Sequence, residues 1–264
     1  MSKPTILIVG GSFAPPEVYD NIVEAIAAKG YDIKALHFPS VGLRAGPRPE
    51  KLPTMYDDAT FVAKEVSKLA DEGKDVVLVA HSYGGVPATE STKGLTKKER
   101  QSQGKGGGIV RLAYMTSLVP PVGRSARSLL AEIPSENRIE FKTDEQGWMD
   151  YVDLPAAAAL IISDLPDVKE REATVGKFQT HSSASFVTEL THAGYKDVPV
   201  SYLLCEEDAI LPPKYQREWI ELIEKESGNK VDVTSLQVGH CPSYTKPQEV
   251  INWIVSAAVR GESK

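Results

Sequence analysis

Hydrophobic residues along the chain fall into two alternating kinds of segment. Short, nearly continuous apolar runs are typical of strands that are buried on both faces of a parallel sheet. Longer stretches with apolar residues on one face are typical of amphipathic helices. The pattern predicts strands at Thr5–Val9, Ile33–His37, Asp75–Ala80, Ile109–Met115, Val200–Cys205 and Val231–Val238. It predicts helices at Pro16–Lys29, Thr54–Glu72, Pro213–Glu226 and Pro247–Val259.

The regular alternation of strands and helices predicts an α/β fold, with a mostly parallel central sheet flanked by helices and joined by right-handed crossovers. The alternation stops between about Pro120 and Lys196, where helix-like pieces such as Gly147–Tyr151 occur without a convincing strand. We therefore expect residues 120–196 to form an all-helical cap insertion. The core would then consist of residues 1–119 and 197–264.

Length and charge narrow the possible partners. The 264 residues suit one α/β domain with an insertion. The formal net charge of −6 gives no general attraction to nucleic acid or to an anionic membrane surface, so we expect neither as a partner.

The longest near-apolar run, Leu154–Ile162, is too short to cross a bilayer, which takes about 20 residues. The N-terminus enters a strand without a secretory signal, so we expect a cytoplasmic protein.

No cofactor or metal is expected from the sequence. The two cysteines, Cys205 and Cys241, have no partners at metal-ligand spacing and form no disulfide framework. The glycine-rich stretch 101–108 precedes a strand, whereas a phosphate-binding loop links a strand to a helix.

The strongest chemical signal follows the third predicted strand. The run HSYGG, with Ser82 at its second position, joins the strand Asp75–Ala80 to a predicted helix. Strand, tight turn and helix are the context of a nucleophile elbow, in which the turn presents a serine hydroxyl at the sheet edge. Crowding by the strand and the helix requires small residues two positions before and after the serine, and these are Ala80 and Gly84. Ser82 is therefore a candidate nucleophile.

The run VLVAHSYGG resembles the nucleophile strand and elbow of the α/β-hydrolase superfamily. Within it, the chain is most similar to the small esterase branch that includes plant methylesterases and hydroxynitrile lyases, and to fungal hydrolases of the same build. The resemblance covers nearly the whole chain outside the cap. It is strongest at the glycine turn after the first strand, the elbow, the acid turn and the histidine turn.

A serine nucleophile needs a base, and the base needs a third group to orient it. In this fold the order along the chain is serine, acid and histidine, which Ser82, Asp208 and His240 obey. Of the five histidines, only His240 combines this order with a position after the last strand. Three acidic residues follow the fifth strand, and the run DAILPP resembles the family's acid turn. That resemblance selects Asp208 and leaves Glu207 as the alternative.

Stabilising an oxyanion takes donors aimed at the developing charge. One is the backbone N–H of Tyr83, directly after the candidate nucleophile. The resemblance implies a second from the loop after the first strand, where the family often has His-Gly-small and this chain has Gly-Gly-Ser. That alignment selects the N–H of Ser12, with Phe13 as the alternative. Gly10 stands in place of the family's histidine, which leaves open how the loop is held.

The cap should roof the substrate pocket. Phe13, Trp148, Tyr151 and Phe186 are candidate lining residues. An apolar pocket of this kind suits an uncharged or weakly polar small molecule. The resemblance implies a serine hydrolase that cleaves a small carboxylic ester or lactone through an acyl-enzyme. The alternatives are a non-hydrolytic lyase or cyclase of secondary metabolism and a ligand-binding receptor with little turnover. The sequence leaves open whether the protein forms a homodimer.

Overall fold

Six parallel strands form the central sheet of the computed structural model, which describes residues 3–44 and 48–262. They are β1 (Thr5–Val9), β2 (Ile33–Leu36), β4 (Asp75–Ser82), β5 (Gly108–Ser117), β9 (Val200–Cys205) and β10 (Asp232–Leu236), in the spatial order β10-β9-β5-β4-β1-β2. Every residue of β1 and β9 is buried, whereas β10 at one edge alternates between half-buried and exposed positions. The central strands therefore appear in the sequence as continuous apolar runs. The predicted α/β fold is confirmed.

Helices flank this sheet where the amphipathic stretches predict them. The larger ones are α1 (Asp20–Ala27), α2 (Met55–Asp71), α9 (Pro213–Ser227) and α11 (Pro247–Glu262). A capping box starts α2, because the Asp57 carboxylate accepts the Thr54 N–H at 2.7 Å. The first predicted helix is divided, with a 3₁₀ turn at Pro16–Tyr19 before α1.

Short helices and 3₁₀ turns lie between these larger elements. They are α3 (Gly85–Glu90), α4 (Lys97–Ser102), α5 (Ala126–Leu130), α6 (Leu154–Ile161), α7 (Val168–Val175), α8 (Ser183–Val187) and α10 (Pro242–Thr245), with 3₁₀ turns at Ser135–Asn137 and Gly194–Lys196. Across residues 3–44 and 48–262, no helix has both the length and the apolar character needed to span a membrane.

A second, four-stranded antiparallel sheet lies in the region predicted to be all-helical. Its strands are β3 (Val41–Gly42), β6 (Phe141–Thr143), β7 (Trp148–Tyr151) and β8 (Thr180–Ser182), in the order β3-β8-β7-β6. The prediction that residues 120–196 lack strands is therefore wrong, and the piece predicted as a helix at Gly147–Tyr151 is largely β7.

The physical reason is the shortness of these strands. Each has two to four residues, too few for the alternation that reveals a strand in a sequence. One of them, β3, also comes from the segment assigned to the core, so residues outside 120–196 contribute to this second layer. The limits of the cap at 120 and 196 stay a prediction.

Candidate active site

A sharp turn at the end of β4 presents Ser82. The serine has a φ of +53°, in the left-handed region that non-glycine residues seldom adopt. A Cβ on Gly84 would lie 2.3 Å from the carbonyl oxygen of Val9 and 2.4 Å from that of Gly10, so only glycine fits there. Glycine at position 84 thus lets α3 begin tightly against β1, and the turn directs Ser82 to the carboxyl edge of the sheet.

The three predicted triad residues lie in direct contact. His240 Nε2 is 2.9 Å from Ser82 Oγ, and His240 Nδ1 is 2.7 Å from Asp208 Oδ2. Because a carboxylate only accepts, the proton of a neutral His240 belongs on Nδ1, and Nε2 is free to accept the Ser82 hydroxyl proton. Asp208 and His240 are buried, while Ser82 is half-buried beside the cavity described below.

Asp208 is held by more than the histidine. Its Oδ1 accepts the backbone N–H groups of Ile210 and Leu211, each at 2.8 Å. The Thr116 hydroxyl donates to Oδ2, a contact that the sequence analysis did not identify. These donors occupy the carboxylate on all sides and fix the oxygen that faces His240.

The alternative acid, Glu207, does not join this arrangement. Its side chain is exposed, and its backbone N–H donates to the Val238 carbonyl at 3.1 Å. The neighbouring Glu206 forms an ion pair with Arg217 at 2.6 Å. Of the three acidic residues in this turn, the structure brings Asp208 to the histidine.

The loop after β1 lies against the elbow. A Cβ on Gly11 would be 3.3 Å from the Ser82 Cβ, so the two turns are in van der Waals contact. The backbone N–H groups of Ser12 and Tyr83 have no hydrogen-bond partner among the residues that the structure describes. The N–H of Phe13, the alternative donor, is 3.2 Å from His181 Nδ1 and is already engaged.

Two buried histidines outside the triad contact this site. His81 Nδ1 is 2.8 Å from the Tyr19 hydroxyl, and His81 Nε2 is 2.8 Å from the His240 carbonyl oxygen. His181, in β8, has its Nε2 3.0 Å from Ser185 Oγ. Burial lowers the pKa of both His81 and His181 to about 3, and for His81 the neighbouring His240 adds to this effect. Both are therefore neutral at physiological pH.

Tyr83 is anchored by a buried carboxyl group. Its hydroxyl donates to Asp58 Oδ2 at 2.8 Å, and the same carboxyl accepts the Ser40 N–H at 2.8 Å and the Ser40 hydroxyl at 2.6 Å. Burial raises the pKa of Asp58 to about 7, although these donors favour its charged form. The Tyr83 ring also stacks on Phe186, with centroids 5.2 Å apart.

A cavity of about 570 Å³ opens onto Ser82 and His240. Predicted lining residues Phe13, Tyr151 and Phe186 border it, whereas Trp148 does not. The lining that sequence reasoning missed is largely apolar: Leu130, Ile133, Ile139, Phe141, Phe178, Ile210 and Leu211. Arg127, Asn137 and Arg138 add polar groups. Within the described residues, no three His, Cys, Asp or Glu side chains are grouped to hold a metal ion.

Trp148, the first residue of β7, instead packs against Gly42 of β3. A Cβ on Gly42 would lie 2.5 Å from an atom of its indole ring, so the ring covers β3. The Trp148 side chain is 2 % exposed and packs β7 against β3.

The profile of the alpha/beta hydrolase family matches residues 6–253. The chain belongs to this family. The probable hydrolase R7 of Phoma sp. is 33 % identical to this alpha/beta hydrolase over 258 residues, covering 98 % of this chain and 99 % of the relative. Methylesterase 7 of Arabidopsis thaliana is 21 % identical over 250 residues and covers 88 % of each chain.

A solved structure shows the same fold. The pyrethroid hydrolase of Sphingobium faniae JZ-2 superimposes with a TM-score of 0.72 at 20 % identity, covering 97 % of this alpha/beta hydrolase and 98 % of that chain. The resemblance to the esterase branch is confirmed, and the relatives support a hydrolase or esterase activity of the alpha/beta hydrolase type.

The buried, neutral state of His181 predicts a pH dependence of stability. In the unfolded chain the imidazole takes up a proton near its ordinary pKa of 6.5, whereas the folded protein resists protonation until about pH 3. The contribution of neutral His181 to the free energy of unfolding is complete above pH 6.5. It is lost as the pH falls, by up to roughly 1.4 kcal/mol per pH unit. Glutamine at this position has no proton to gain.

The free energy of unfolding of H181Q should therefore fall less steeply than that of the wild type between pH 6.5 and 4, by about one proton. Urea unfolding at a series of pH values measures both slopes. Parallel slopes for the two proteins would show that His181 is not held neutral by the fold.

Proposed function

We propose that this alpha/beta hydrolase is a serine hydrolase that cleaves a small carboxylic ester or lactone through an acyl-enzyme. The observation that carries the proposal is the unbroken contact from Ser82 Oγ through His240 to Asp208, at 2.9 and 2.7 Å. A serine hydroxyl gains nucleophilic strength only when a base can take its proton, and this contact supplies the base and its orienting acid.

In the acylation step, Ser82 Oγ attacks the substrate carbonyl carbon while His240 Nε2 takes the hydroxyl proton. The carbonyl oxygen becomes an oxyanion, which accepts hydrogen bonds from the N–H groups of Tyr83 and Ser12. His240 then gives its proton to the departing alkoxy oxygen as the carbon–oxygen bond breaks. The acyl group stays on Ser82 as an ester.

In the second step, His240 takes a proton from water as the water oxygen attacks the acyl carbon. As the new oxyanion collapses, the bond between the acyl carbon and Ser82 Oγ breaks, His240 gives its proton to Oγ, and the carboxylic acid is released. Asp208 keeps the proton of neutral His240 on Nδ1 and stabilises the imidazolium that forms in each step.

The cavity supports a small, largely apolar substrate. Its volume of about 570 Å³ lies within the range of sites for small organic ligands, and its walls are mainly aromatic and aliphatic. Several relatives are named methylesterases, and this name describes enzymes that cleave methyl esters. A lactone would react in the same way, with the released hydroxyl group still tethered to the acyl chain.

Replacing the nucleophile tests the proposal. Wild-type protein should be labelled by a fluorophosphonate and should turn over a short-chain p-nitrophenyl ester. S82A should lose labelling and at least roughly 10⁴-fold in kcat/KM, because no other hydroxyl among the described residues is hydrogen-bonded to the His240 ring. The control S102A alters an exposed serine in α4 and should behave like the wild type.

Absence of both labelling and turnover in the wild type would contradict the proposal. Labelling that depends on Ser82 without turnover of any ester or lactone would favour the non-hydrolytic lyase or cyclase. Tight ligand binding that S82A leaves intact, without turnover, would favour a receptor.

A pair of substitutions in the acid turn distinguishes the two candidate acids. D208N should lower kcat by roughly 10²- to 10⁴-fold, because an amide facing Nδ1 stabilises the wrong tautomer of His240. E207Q, one residue away and exposed, should keep wild-type kcat. Steady-state kinetics on a p-nitrophenyl ester measures both, and a loss confined to E207Q would overturn the assignment of Asp208.

A further inference from the structure

The loop after β1 is held by the N–H groups on either side of Ser12. The Gly11 N–H donates to the Tyr19 hydroxyl oxygen at 2.9 Å, and the Phe13 N–H donates to His181 Nδ1 at 3.2 Å. Between them, the Ser12 N–H has no partner within the described part of the chain. Among the backbone N–H groups of residues 11–14, that of Ser12 is therefore the one without a partner in the described part of the chain, and Ser12 borders the cavity.

The bond to Gly11 is the first in a series of hydrogen bonds, and the position of each proton in this series can be deduced. Because the Tyr19 oxygen accepts from Gly11, its own proton is free to donate to His81 Nδ1, 2.8 Å away. A neutral His81 then carries its proton on Nε2, which donates to the His240 carbonyl at 2.8 Å. This series of hydrogen bonds therefore connects the loop after β1 to the backbone of His240, whose side chain contacts Ser82.

Tyr19 has room for this role because residue 10 is glycine. A Cβ at Gly10 would lie 2.9 Å from Tyr19 Cε2, so a side chain there would displace the ring. Tyr19 and His81 are 1 % and 4 % exposed, so water has little access to either bond.

The bond to Phe13 comes from the second sheet. Since His181 Nδ1 accepts the Phe13 N–H, a neutral ring carries its proton on Nε2, which donates to Ser185 Oγ at 3.0 Å. The ring lies against that of Phe13, with centroids 5.3 Å apart. Phe13 has a φ of +64°, a conformation that needs such support in a non-glycine residue.

We propose that Tyr19, His81 and His181 are positioning residues that fix the loop so that the Ser12 N–H points at the oxyanion. The inference rests on the proposed function for its kinetic consequence, but the holding of the loop is a property of the free protein. A protonated His81 or His181 would lose the acceptor at Nδ1, so both must stay neutral, as their burial ensures.

The kinetic consequence falls on kcat. Negative charge develops on this oxygen as the transition state forms and is absent from the bound substrate, so a misplaced donor destabilises the transition state and leaves substrate binding intact. Y19F should therefore lower kcat roughly ten- to hundredfold with KM unchanged, less than the loss of a whole oxyanion donor. Y114F is the matched control, because it removes a buried hydroxyl that contacts Thr89 Oγ1 at 2.7 Å outside this network.

A rescue series separates positioning from a general loss of packing. Glutamine at position 81 can accept from Tyr19 through Oε1 and donate to the His240 carbonyl through Nε2, whereas leucine can do neither. H81Q should therefore keep a higher kcat than H81L. Equal kcat in H81Q and H81L, or wild-type kcat in Y19F, would overturn the proposal.

Amide hydrogen exchange, followed by NMR on wild type and Y19F, tests the loop without any substrate. Gly11 and Phe13 should be protected in the wild type, and Y19F should lose protection at Gly11 while Y114F keeps it. Unchanged protection at Gly11 in Y19F would overturn the proposal. Both results hold whether or not the wild type hydrolyses esters, so failure of the proposed hydrolase activity is recognised separately, by the absence of wild-type turnover and labelling.

Discussion

The left-handed backbone at Ser82 is the constraint around which the site is arranged. A φ of +53° lets the chain reverse between β4 and α3 and leaves the hydroxyl at the sheet edge. This turn is possible only because Gly84 offers no Cβ to the carbonyl oxygens of Val9 and Gly10. The same contact brings the loop after β1 beside the serine, so the candidate nucleophile and both candidate oxyanion donors are set by one local geometry. Such strained positions persist where the surrounding structure supports them, and they cluster at functional sites.

Hydrogen bonds then connect loops that are distant in sequence into one buried network. One branch runs from Thr116 through Asp208 and His240 to Ser82. Another leaves the His240 carbonyl and passes through His81 and Tyr19 to Gly11. Each deduced proton position depends on the next, because among the described residues every imidazole nitrogen in these two branches has one hydrogen-bond partner, which decides whether it donates or accepts. Buried networks of this kind specify one arrangement, since a broken member leaves a buried polar group without a partner.

Sequence reasoning reached the elements whose signals are local. The central strands show as apolar runs, and the elbow shows as a small residue, serine and glycine between a strand and a helix. It missed the second sheet, because β6, β7 and β8 have three or four residues each, and β8 pairs with β3 and β7 from distant parts of the chain. Trp148 is a predicted lining residue because it lies in the cap region, yet its ring covers Gly42. The contacts of Tyr19, His81 and His181 could not be predicted, since they join residues 8 to 168 positions apart.

The most direct test of the account is to trap the intermediate it requires. Wild-type protein mixed with p-nitrophenyl acetate should release a burst of nitrophenolate, and acid quenching during the burst should capture one acetyl group per chain. Peptide mass spectrometry should place that acetyl group on the peptide containing Ser82, formed as fast as the burst itself. A burst without an acetylated Ser82, or steady turnover with the acetyl group on another residue, would contradict the assignment of Ser82 as the nucleophile.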